Sequence, residues 1–437
     1  MQLDSTLNVR DFINNRPLSR NQWVLVLLCF FIVAVDGMDV AIMGFIAPSI
    51  LSEWNISRPA FGIVMGAAPI GLALGAVLAG SSSDWWGRRK VLLCSVLGFG
   101  ICTLLTTLAH NTTEMAVLRL LTGLGLGAAM PNATTLLSEY VPERRRAFLV
   151  AAMFTGFNLG SAMVGFAAAA LIPAYGWQSV LTLGGALPLL LLPLLFFFLP
   201  ESARYMVVRG YAAREIGKVL SKVSQARLEK VQTYATGEAA VQAKQPIAVL
   251  FHAGYRLKTV TLWVTYFMGL LVIYLTTGWL PTMMKDAGMS IDRAANVTAM
   301  FQLGGTVGAL VVGWLMDRLD PNRVIAVAYM LGAVALAVMG FSGLMSPSIV
   351  ALVVAVGFCL SGAQTGLNGF APGCYPTMAR ATGVSWMLGI GRLGSILGSS
   401  IGGLLLSQGW GFEGIFCALA VPAVLAGLSI LLNRRAP

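Results

Sequence analysis

The chain has 437 residues, of which 57% are hydrophobic and 11% are charged, and its formal net charge is +11. Soluble domains carry about 25% charged residues, so this composition excludes a soluble multidomain protein and indicates an integral membrane protein.

The first 22 residues are polar, and the apolar run that follows them is too long for the hydrophobic region of a cleavable signal peptide. Twelve apolar runs are long enough to cross a bilayer, which takes about 20 residues in a helix. We therefore predict an all-α membrane protein with twelve transmembrane helices. The predicted spans cover residues 23–46, 60–80, 91–109, 114–138, 147–171, 178–199, 258–280, 293–315, 323–343, 348–370, 381–406 and 411–432.

The first span contains two aspartates, Asp36 and Asp39, close to its middle. A carboxylate at that depth costs about 2.5–3.5 kcal/mol on insertion scales. Residues three apart lie on the same side of a helix, so we expect one side of this helix to face protein or water. Two close carboxylates resist being charged together in a low dielectric, which favours a proton-coupling site. The alternative is a structural pair held by hydrogen bonds or by Arg119.

Two arginines also fall inside predicted spans. Arg119, in the outer part of the fourth span, matches the depth of Asp39, so we expect it to balance that carboxylate and to be released when the carboxylate is protonated. The alternative is an arginine that extends to the outer surface. Arg392, near the middle of the eleventh span, can hold a carboxylate through two parallel hydrogen bonds. We predict it as the anchor of a substrate carboxylate, and the alternative is a salt bridge between helices or a clamp on backbone carbonyls.

Uncharged polar side chains within the spans are candidates for contacts with the rest of a substrate. Phenol rings and amides offer ring contacts and hydrogen bonds, although each could instead bond a neighbouring helix. These candidates are Asn158, Tyr266, Tyr274, Gln302, Gln364 and Asn368. Trp279, at the end of the seventh span, is predicted as an anchor at the membrane interface.

The distribution of positive charge predicts the orientation of the chain. With the N-terminus in the cytoplasm, 24 Lys and Arg residues lie on the cytoplasmic side and three lie outside, namely Arg58, Lys285 and Arg293. Cytoplasmic loops carry the excess of Lys and Arg in membrane proteins, so we predict that both termini are cytoplasmic. Since topology accounts for the basic charge, we predict no nucleic-acid partner.

An internal repeat divides the chain into two parts. A shift of 234 residues aligns 142–147 with 376–381, and a shift of 233 aligns Asp84 with Asp317. Secondary transporters are often built from two such repeats with a site between them, so we predict two pseudo-symmetric six-helix halves. The predicted regions are a cytoplasmic N-terminal segment (1–22), an N-terminal half (23–199), a cytoplasmic linker with an amphipathic helix (200–257) and a C-terminal half with a short cytoplasmic tail (258–437).

Several segments resemble motifs of the major facilitator superfamily. Gly80–Lys90 is similar to the loop after its second span, Arg119–Gly127 to its RxxxG motif, and Pro200–Arg204 to its PES-x-R element. The Asp36-Gly-Met-Asp39 motif, followed by Gly44–Pro48, resembles the aromatic acid:proton symporter family within it. Segments 12–23, 130–140 and 381–392 are similar to the 4-hydroxybenzoate/protocatechuate permeases of that family.

The resemblance implies the major facilitator fold and proton-coupled import of a hydroxylated aromatic carboxylate, of the 4-hydroxybenzoate, protocatechuate or gallate type. It implies a monomer in the bacterial inner membrane that serves the catabolism of aromatic compounds. It also implies that Asp36 and Asp39 both matter for uptake. Trp85 departs from the arginine that usually follows the loop aspartate, so we expect a different ion-pair pattern there.

A gating network is predicted at the cytoplasmic ends of the helices, where the loop motif faces the end of the fourth span. Its charges would stabilise one state of an alternating-access cycle, and a weaker copy is expected in the second half. The candidates are Asp84, Gly87, Arg88, Arg89 and Glu139, with Asp317 and Arg318 as the repeat.

Other functions fit part of the sequence. A sugar or other organic-anion porter shares the PES-x-R element, but Arg392 favours an anionic substrate over a neutral one. A drug antiporter would carry a Gly-Pro pair in the fifth span, which has no proline between Ala147 and Leu171. A membrane sensor of aromatic acids would need a signalling domain, for which we find no sizeable segment. The six cysteines lie almost wholly in apolar stretches without metal-site spacing, so we predict no catalytic site, metal or cofactor.

Overall fold

The computed structural model describes residues 6–226, 228, 233–235, 250–252, 254–343, 347–375 and 380–433. Of residues 80, 81, 84, 147, 380 and 381 it describes the backbone alone.

Twelve helices in the described residues are long and apolar enough to cross a membrane, which confirms the predicted fold class. A short helix, α1 (Val9–Asn14), precedes them. The first six are α2 (Arg20–Glu53), α3 (Arg58–Trp86), α4 (Arg88–Thr106), α5 (Thr112–Tyr140), α6 (Glu143–Tyr175) and α7 (Gln178–Phe198). Two shorter helices follow, α8 (Ala203–Val208) and α9 (Ala213–Ser224). The second six are α10 (Arg256–Asp286), α11 (Ile291–Met316), α12 (Pro321–Ser342), α13 (Ile349–Phe370), α14 (Arg380–Ser407) and α15 (Phe412–Asn433), with a 3-10 turn at Ala371–Cys374.

Several helices extend beyond the apolar runs because local capping, and not hydropathy, decides where a helix begins. Helix α2 starts at Arg20, three residues before the predicted span. Ser19 accepts a hydrogen bond from the Gln22 backbone N–H at 3.1 Å, and the Gln22 side chain accepts one from the Ser19 N–H at 2.7 Å. This reciprocal capping satisfies backbone donors that would otherwise lack partners.

The helices of the two halves pack in the same order. In the first half α2 packs on α6, α3 on α5 and α4 on α7; in the second, α10 packs on α14, α11 on α13 and α12 on α15. The first helix of each half thus meets the fifth, the second meets the fourth and the third meets the sixth. Between the halves, α3 packs on α14, α6 on α11 and α2 on α10. These pairings confirm two pseudo-symmetric six-helix halves.

Glycines allow close backbone contact within each half. A Cβ on Gly123 of α5 would lie 2.1 Å from the Ala68 carbonyl oxygen of α3. In the second half, a Cβ on Gly308 of α11 would lie 2.0 Å from the Phe358 oxygen of α13. Small residues permit such approach between membrane helices, and here they do so between the second and the fourth helix of each half.

The two ends of the bundle differ. We call the end that carries the N-terminal segment the termini face and the opposite end, where α2 connects to α3, the loop face. Arg58 and Asp286 join the two halves across the loop face, with Nη2 and Oδ2 2.6 Å apart. Beneath them the Phe61 ring meets the Trp279 ring edge-on at 6.3 Å. The halves are therefore in contact at the loop face.

The termini face carries the N-terminal segment and the linker helices. Strand β1 (Thr6–Asn8) pairs in parallel with β2 (Thr233–Ala235), and Asn21 Nδ2 donates to the Lys222 carbonyl at the end of α9 at 2.5 Å. Helix α9 is amphipathic, as predicted, since Ile216, Leu220 and Val223 are buried along one side. The short strand pair was not predicted, because it joins segments 227 residues apart in sequence.

Candidate functional site

Asp36 and Asp39 are each 1% exposed in the middle of α2. Gly37, between them, lies directly against α6, since a Cβ there would be 2.1 Å from the Phe157 carbonyl oxygen. Ser161 Oγ of α6 donates to the Gly37 carbonyl oxygen at 2.7 Å. This close contact fixes the rotation of α2 on α6, and with it the direction of both carboxylates.

Asp39 is paired within the first half. Arg119 Nη1 of α5 donates to both of its carboxylate oxygens, at 3.3 and 3.2 Å, and the two side chains are fully buried. Thr103 Oγ1 of α4 donates to Asp39 Oδ1 at 2.5 Å. Hydrogen bonds between charged partners are stronger than neutral ones. Arg119 therefore does not extend to the surface; it lies in the interior against this carboxylate.

Three threonines hold the other end of the Arg119 guanidinium. Nη2 donates to the hydroxyl oxygens of Thr103, Thr106 and Thr122 at 3.1, 3.2 and 3.1 Å. Each hydroxyl proton has another acceptor, which is Asp39 for Thr103, the Cys102 carbonyl for Thr106 and the Leu118 carbonyl for Thr122. We call these residues, with Asp39, the arginine–threonine cluster. The sequence analysis missed the three threonines.

Asp36 has a different environment from Asp39, although the two are three residues apart. Neither of its carboxylate oxygens has a hydrogen-bond partner in the part of the chain that is described. Two charged side chains act on it electrostatically, Arg392 of α14 and Asp39. The Tyr274 phenol of α10 interacts with both Asp36 and Arg392. Asp36 therefore lies where the first half meets the second.

Phenols and amides surround Arg392 in the second half. The half-buried guanidinium approaches the Tyr274 hydroxyl at 3.5 Å, and its charge acts on the buried Tyr266. The side chains of Gln364 and Asn368 lie next to the Tyr266 phenol. The structure thus brings four of the six predicted polar candidates together with Arg392.

The remaining two candidates lie elsewhere along the interface. Asn158, on α6, lies beside Gly305 of α11, and Gln302 is buried one turn earlier in α11. Sequence reasoning missed Tyr329, which is buried and donates to Gln364 Oε1 at 2.7 Å.

A small cavity lies between the Asp39 side of the first half and the Tyr274 side of the second half. It has a volume of about 40 Å³ and is lined by α2, α3, α10 and α14, including Asp39 and Tyr274. A cavity of this size has room for water molecules and not for an aromatic ring.

Trp279 corrects the sequence prediction. Its ring is fully buried between the halves, and Nε1 donates to the Ser399 carbonyl of α14 at 2.7 Å. A membrane-interface anchor would be exposed to lipid, so that prediction is wrong. Hydropathy shows how deep a tryptophan lies but not which side of its helix meets protein.

The predicted gating residues of the first half form a network around Glu201 at the termini face. Gly87 ends α3 with a φ of +90°, and a Cβ there would lie 2.4 Å from Glu201 Oε2. Glu201 Oε1 accepts from the Arg89 backbone N–H at 3.2 Å. Glu139 accepts a hydrogen bond from Ser202, and the Arg88 guanidinium lies 5.5 Å from the Tyr205 ring.

The other predicted gating residues do not belong to this network as the described residues show it. The Asp84 side chain lies outside the described residues. In the second half Asp317 and Arg318 are exposed, and the Arg318 guanidinium lies 4.0 Å above the Trp314 ring. Glu201 and Ser202 were not predicted as members of this network, although the PES-x-R element that contains them was the signal for them.

Two packed six-helix halves with buried charges at their contact define a membrane transporter with two structural repeats. The chain belongs to the Major Facilitator Superfamily, whose family model matches residues 29–290 and 262–437. The predicted family resemblance is confirmed, and the chain is a multi-pass transporter and not an enzyme.

Curated relatives are similar over nearly the full chain. The chain is 55% identical to the gallate transporter of Pseudomonas putida, covering 99% of this chain and 96% of that protein. It is 49% identical to the 4-hydroxybenzoate transporter PcaK of Pseudomonas aeruginosa, covering 98% and 96%. Among solved structures, a D-xylose-proton symporter has a TM-score of 0.73 at 18% identity, covering 93% of this chain and 97% of that one. At that identity the likeness concerns the fold alone.

Proposed function

We propose that this protein is a proton-coupled symporter that imports a hydroxylated aromatic carboxylate, of the gallate, protocatechuate or 4-hydroxybenzoate type, across the bacterial inner membrane. The observation that carries the proposal is Arg392, a guanidinium at the contact of the two halves surrounded by phenols and amides. The gallate and 4-hydroxybenzoate transporters among its relatives support this substrate class.

Each part of such a substrate has a candidate partner. The Arg392 guanidinium would bind the carboxylate through paired hydrogen bonds. Tyr266 and Tyr274 would contact the ring, and Gln364 and Asn368 would bond ring hydroxyls. Asn158 and Gln302, on the contact between α6 and α11, would complete the far side of the pocket once the halves separate.

A proton gives this import a thermodynamic driving force. A substrate anion entering a negative-inside cell works against about 2.3 kcal/mol per charge for each 100 mV. Cotransport of one proton cancels that charge. Asp36, Asp39 and Arg119 are the proposed coupling group, because Arg392 and Asp39 both act on the buried Asp36 and Asp39 is paired with Arg119.

The two faces of the bundle would act as alternating gates. We place the termini face and the linker in the cytoplasm, because that side carries the excess of Lys and Arg. The Arg58–Asp286 pair would then close the outer gate. The network of Gly87, Arg88, Arg89 and Glu139 would stabilise one state at the cytoplasmic face, together with Asp84, Asp317 and Arg318. A single chain contains both halves and both gates, so we propose that the monomer is functional.

The test is uptake of labelled 4-hydroxybenzoate by proteoliposomes with an imposed inward proton gradient. We expect accumulation that gallate and protocatechuate compete for, and that glucose and methyl 4-hydroxybenzoate do not, since the ester has no carboxylate. Absence of uptake and of competition by every aromatic acid would overturn the proposal in favour of a sugar or other organic-anion porter. Binding of aromatic acids without transport would indicate a sensor instead.

Arg392→Gln tests the anchor. Losing a hydrogen-bonded charged partner costs about 1.5–3 kcal/mol, which corresponds to binding weakened by about 10- to 150-fold. Arg293→Gln, which removes an exposed arginine at the start of α11, is the matched control and should leave affinity unchanged. Equal affinity in both variants would exclude Arg392 as the anchor.

A further inference from the structure

We propose, building on the proton symport proposed above, that Asp36 carries the transported proton and Asp39 stays ionised. In this arrangement Arg392 couples the proton to the substrate. Its positive charge stabilises ionised Asp36 when the site is empty and binds the substrate carboxylate when the site is occupied.

The bonding of Asp39 argues against its taking the proton. Both of its oxygens already accept hydrogen bonds, from Arg119 Nη1 and from the Thr103 hydroxyl. Protonation would remove the charge that compensates a fully buried guanidinium. Leaving one partner of a buried ion pair without the other is strongly destabilising.

The threonines hold Arg119 in place, so that its guanidinium does not move towards another anion. Three hydroxyl oxygens accept from Nη2, and their own protons are already donated elsewhere, so they present only acceptor lone pairs to the guanidinium. Every member of the arginine–threonine cluster belongs to the first half, on α2, α4 or α5. Rocking of one half against the other leaves all of these contacts intact, so the cluster does not report which face is open.

Asp36 has the opposite properties. Its buried oxygens have no donor in the described residues, so hydrogen bonds do not compensate its charge. The charged and titratable groups that act on it are Arg392 from α14, Asp39 from its own helix and the Tyr274 phenol from α10. On the α6 side the Gly37 backbone meets the Phe157 backbone. The cation that stabilises ionised Asp36 therefore belongs to the other half.

The coupling step balances in charge and atoms. In the empty site, ionised Asp36 is compensated by the Arg392 guanidinium. When the substrate carboxylate forms its ion pair with Arg392, Asp36 loses that compensation and its carboxylate takes up one proton from water. Release of the substrate returns Arg392 to Asp36, and the proton leaves. One proton is carried per substrate anion, and the cavity beside Tyr274 and Asp39 has room for the water that delivers it.

Asp36→Asn and Asp39→Asn, compared in proteoliposomes with wild-type protein, separate the two carboxylates. The asparagine at position 36 mimics the protonated acid, so we expect this variant to keep exchange of labelled for unlabelled 4-hydroxybenzoate at equal pH. It should lose accumulation driven by a proton gradient. Asp39→Asn should lose both, and the double variant Asp39→Asn/Arg119→Gln should recover folding, because it removes the unpaired charge as well.

The pH dependence of binding provides a second readout. If substrate binding takes up one proton, the apparent Kd rises about tenfold per pH unit over the range where Asp36 is ionised in the empty site. We expect this slope in wild-type protein and in Arg293→Gln, which removes an exposed charge at the start of α11 and leaves Asp36 untouched. Asp36→Asn should give a flat profile.

The outcomes distinguish this inference from the symport on which it rests. Gradient-driven accumulation by Asp36→Asn, or exchange without accumulation by Asp39→Asn, would overturn the assignment and leave proton symport standing. Wild-type protein that exchanges aromatic acids but ignores the proton gradient would remove symport, and the assignment with it. If Asp39→Asn does not fold, the Asp36→Asn measurements decide alone.

Discussion

The arginine–threonine cluster and the contact between the halves are built in contrasting ways. Inside the first half, Asp39 and Arg119 are fully buried and bonded to each other and to threonines. At the contact, Asp36 has no hydrogen-bond partner among the described residues, and Arg392 reaches Tyr274 only at 3.5 Å. Strong bonds within a half keep it rigid, whereas weak contacts between halves leave those charges available for a substrate and a proton.

The largest expected effect comes from breaking the cluster. Arg119→Gln leaves Asp39 as a buried charge with the Thr103 hydroxyl as its remaining donor. Removing one partner of a buried ion pair costs about 3–5 kcal/mol, so we expect that loss of stability in equilibrium unfolding in detergent. Arg392→Gln is the matched comparison from the contact between the halves. It should impair substrate binding and cost much less stability, because Asp36 has no hydrogen-bond donor among the described residues and takes up a proton when the guanidinium is removed.

If Arg392→Gln destabilises the protein as much as Arg119→Gln, then Arg392 forms a structural pair with Asp36 and is not held ready for a substrate. The two charges at the contact would then have the same kind of role as the cluster.

A second prediction concerns the contact that orients both aspartates. Gly37→Ala would place a Cβ 2.1 Å from the Phe157 carbonyl oxygen, which is backbone and has little freedom to move. Overpacking of this kind costs about 1–3 kcal/mol, and here it also displaces α2 from α6. We expect lower stability and loss of transport. Gly98→Ala is the control, since a Cβ there meets nothing within 4 Å; equal behaviour of the two variants would show that α2 tolerates displacement.

Composition and hydropathy were enough to predict the twelve helices, and the internal repeat predicted their arrangement in two halves. The cost of charge in a membrane also singled out Asp36, Asp39, Arg119 and Arg392 as candidate site residues. The hydropathy signal and the charge signal are local, because each depends on a residue type and its depth in the membrane.

The direction in which each charge points could not be predicted. Asp36 and Asp39 share a helical side by spacing, yet one is bonded inside the first half and the other lies near Arg392, because the Gly37–Phe157 contact sets the rotation of α2. The threonines around Arg119 gave no signal, since a threonine in a membrane helix can bond its own backbone, as Thr106 and Thr122 also do here. Trp279 was assigned to the interface because its depth is visible in the sequence and its partner Ser399, 120 residues away, is not.

The smallest effect on stability is expected at the loop face. The same site offers the sharpest test of whether the two halves separate there. Arg58 and Asp286 are 39% and 40% exposed, and exposed ion pairs contribute about 0.2–1 kcal/mol. Arg58→Ala should therefore leave unfolding nearly unchanged. Since the pair joins the halves, its loss should shift the population towards a state open at the loop face by up to that same free energy.

Labelling can detect this shift. Ser400 lies at the interface, since its carbonyl oxygen would be 2.6 Å from a Cβ on Gly62 of the other half. We would replace the six native cysteines and place a single cysteine at position 400. This cysteine should react faster with a polar thiol reagent in Arg58→Ala than in the parent. The swap Arg58→Asp/Asp286→Arg should restore slow labelling, and salt should speed labelling of the parent because it screens exposed charges. If the labelling rate is unchanged by the substitution, the swap and salt, then tight helix packing holds the loop face closed. The contact between the halves would then be as rigid as the cluster inside the first half.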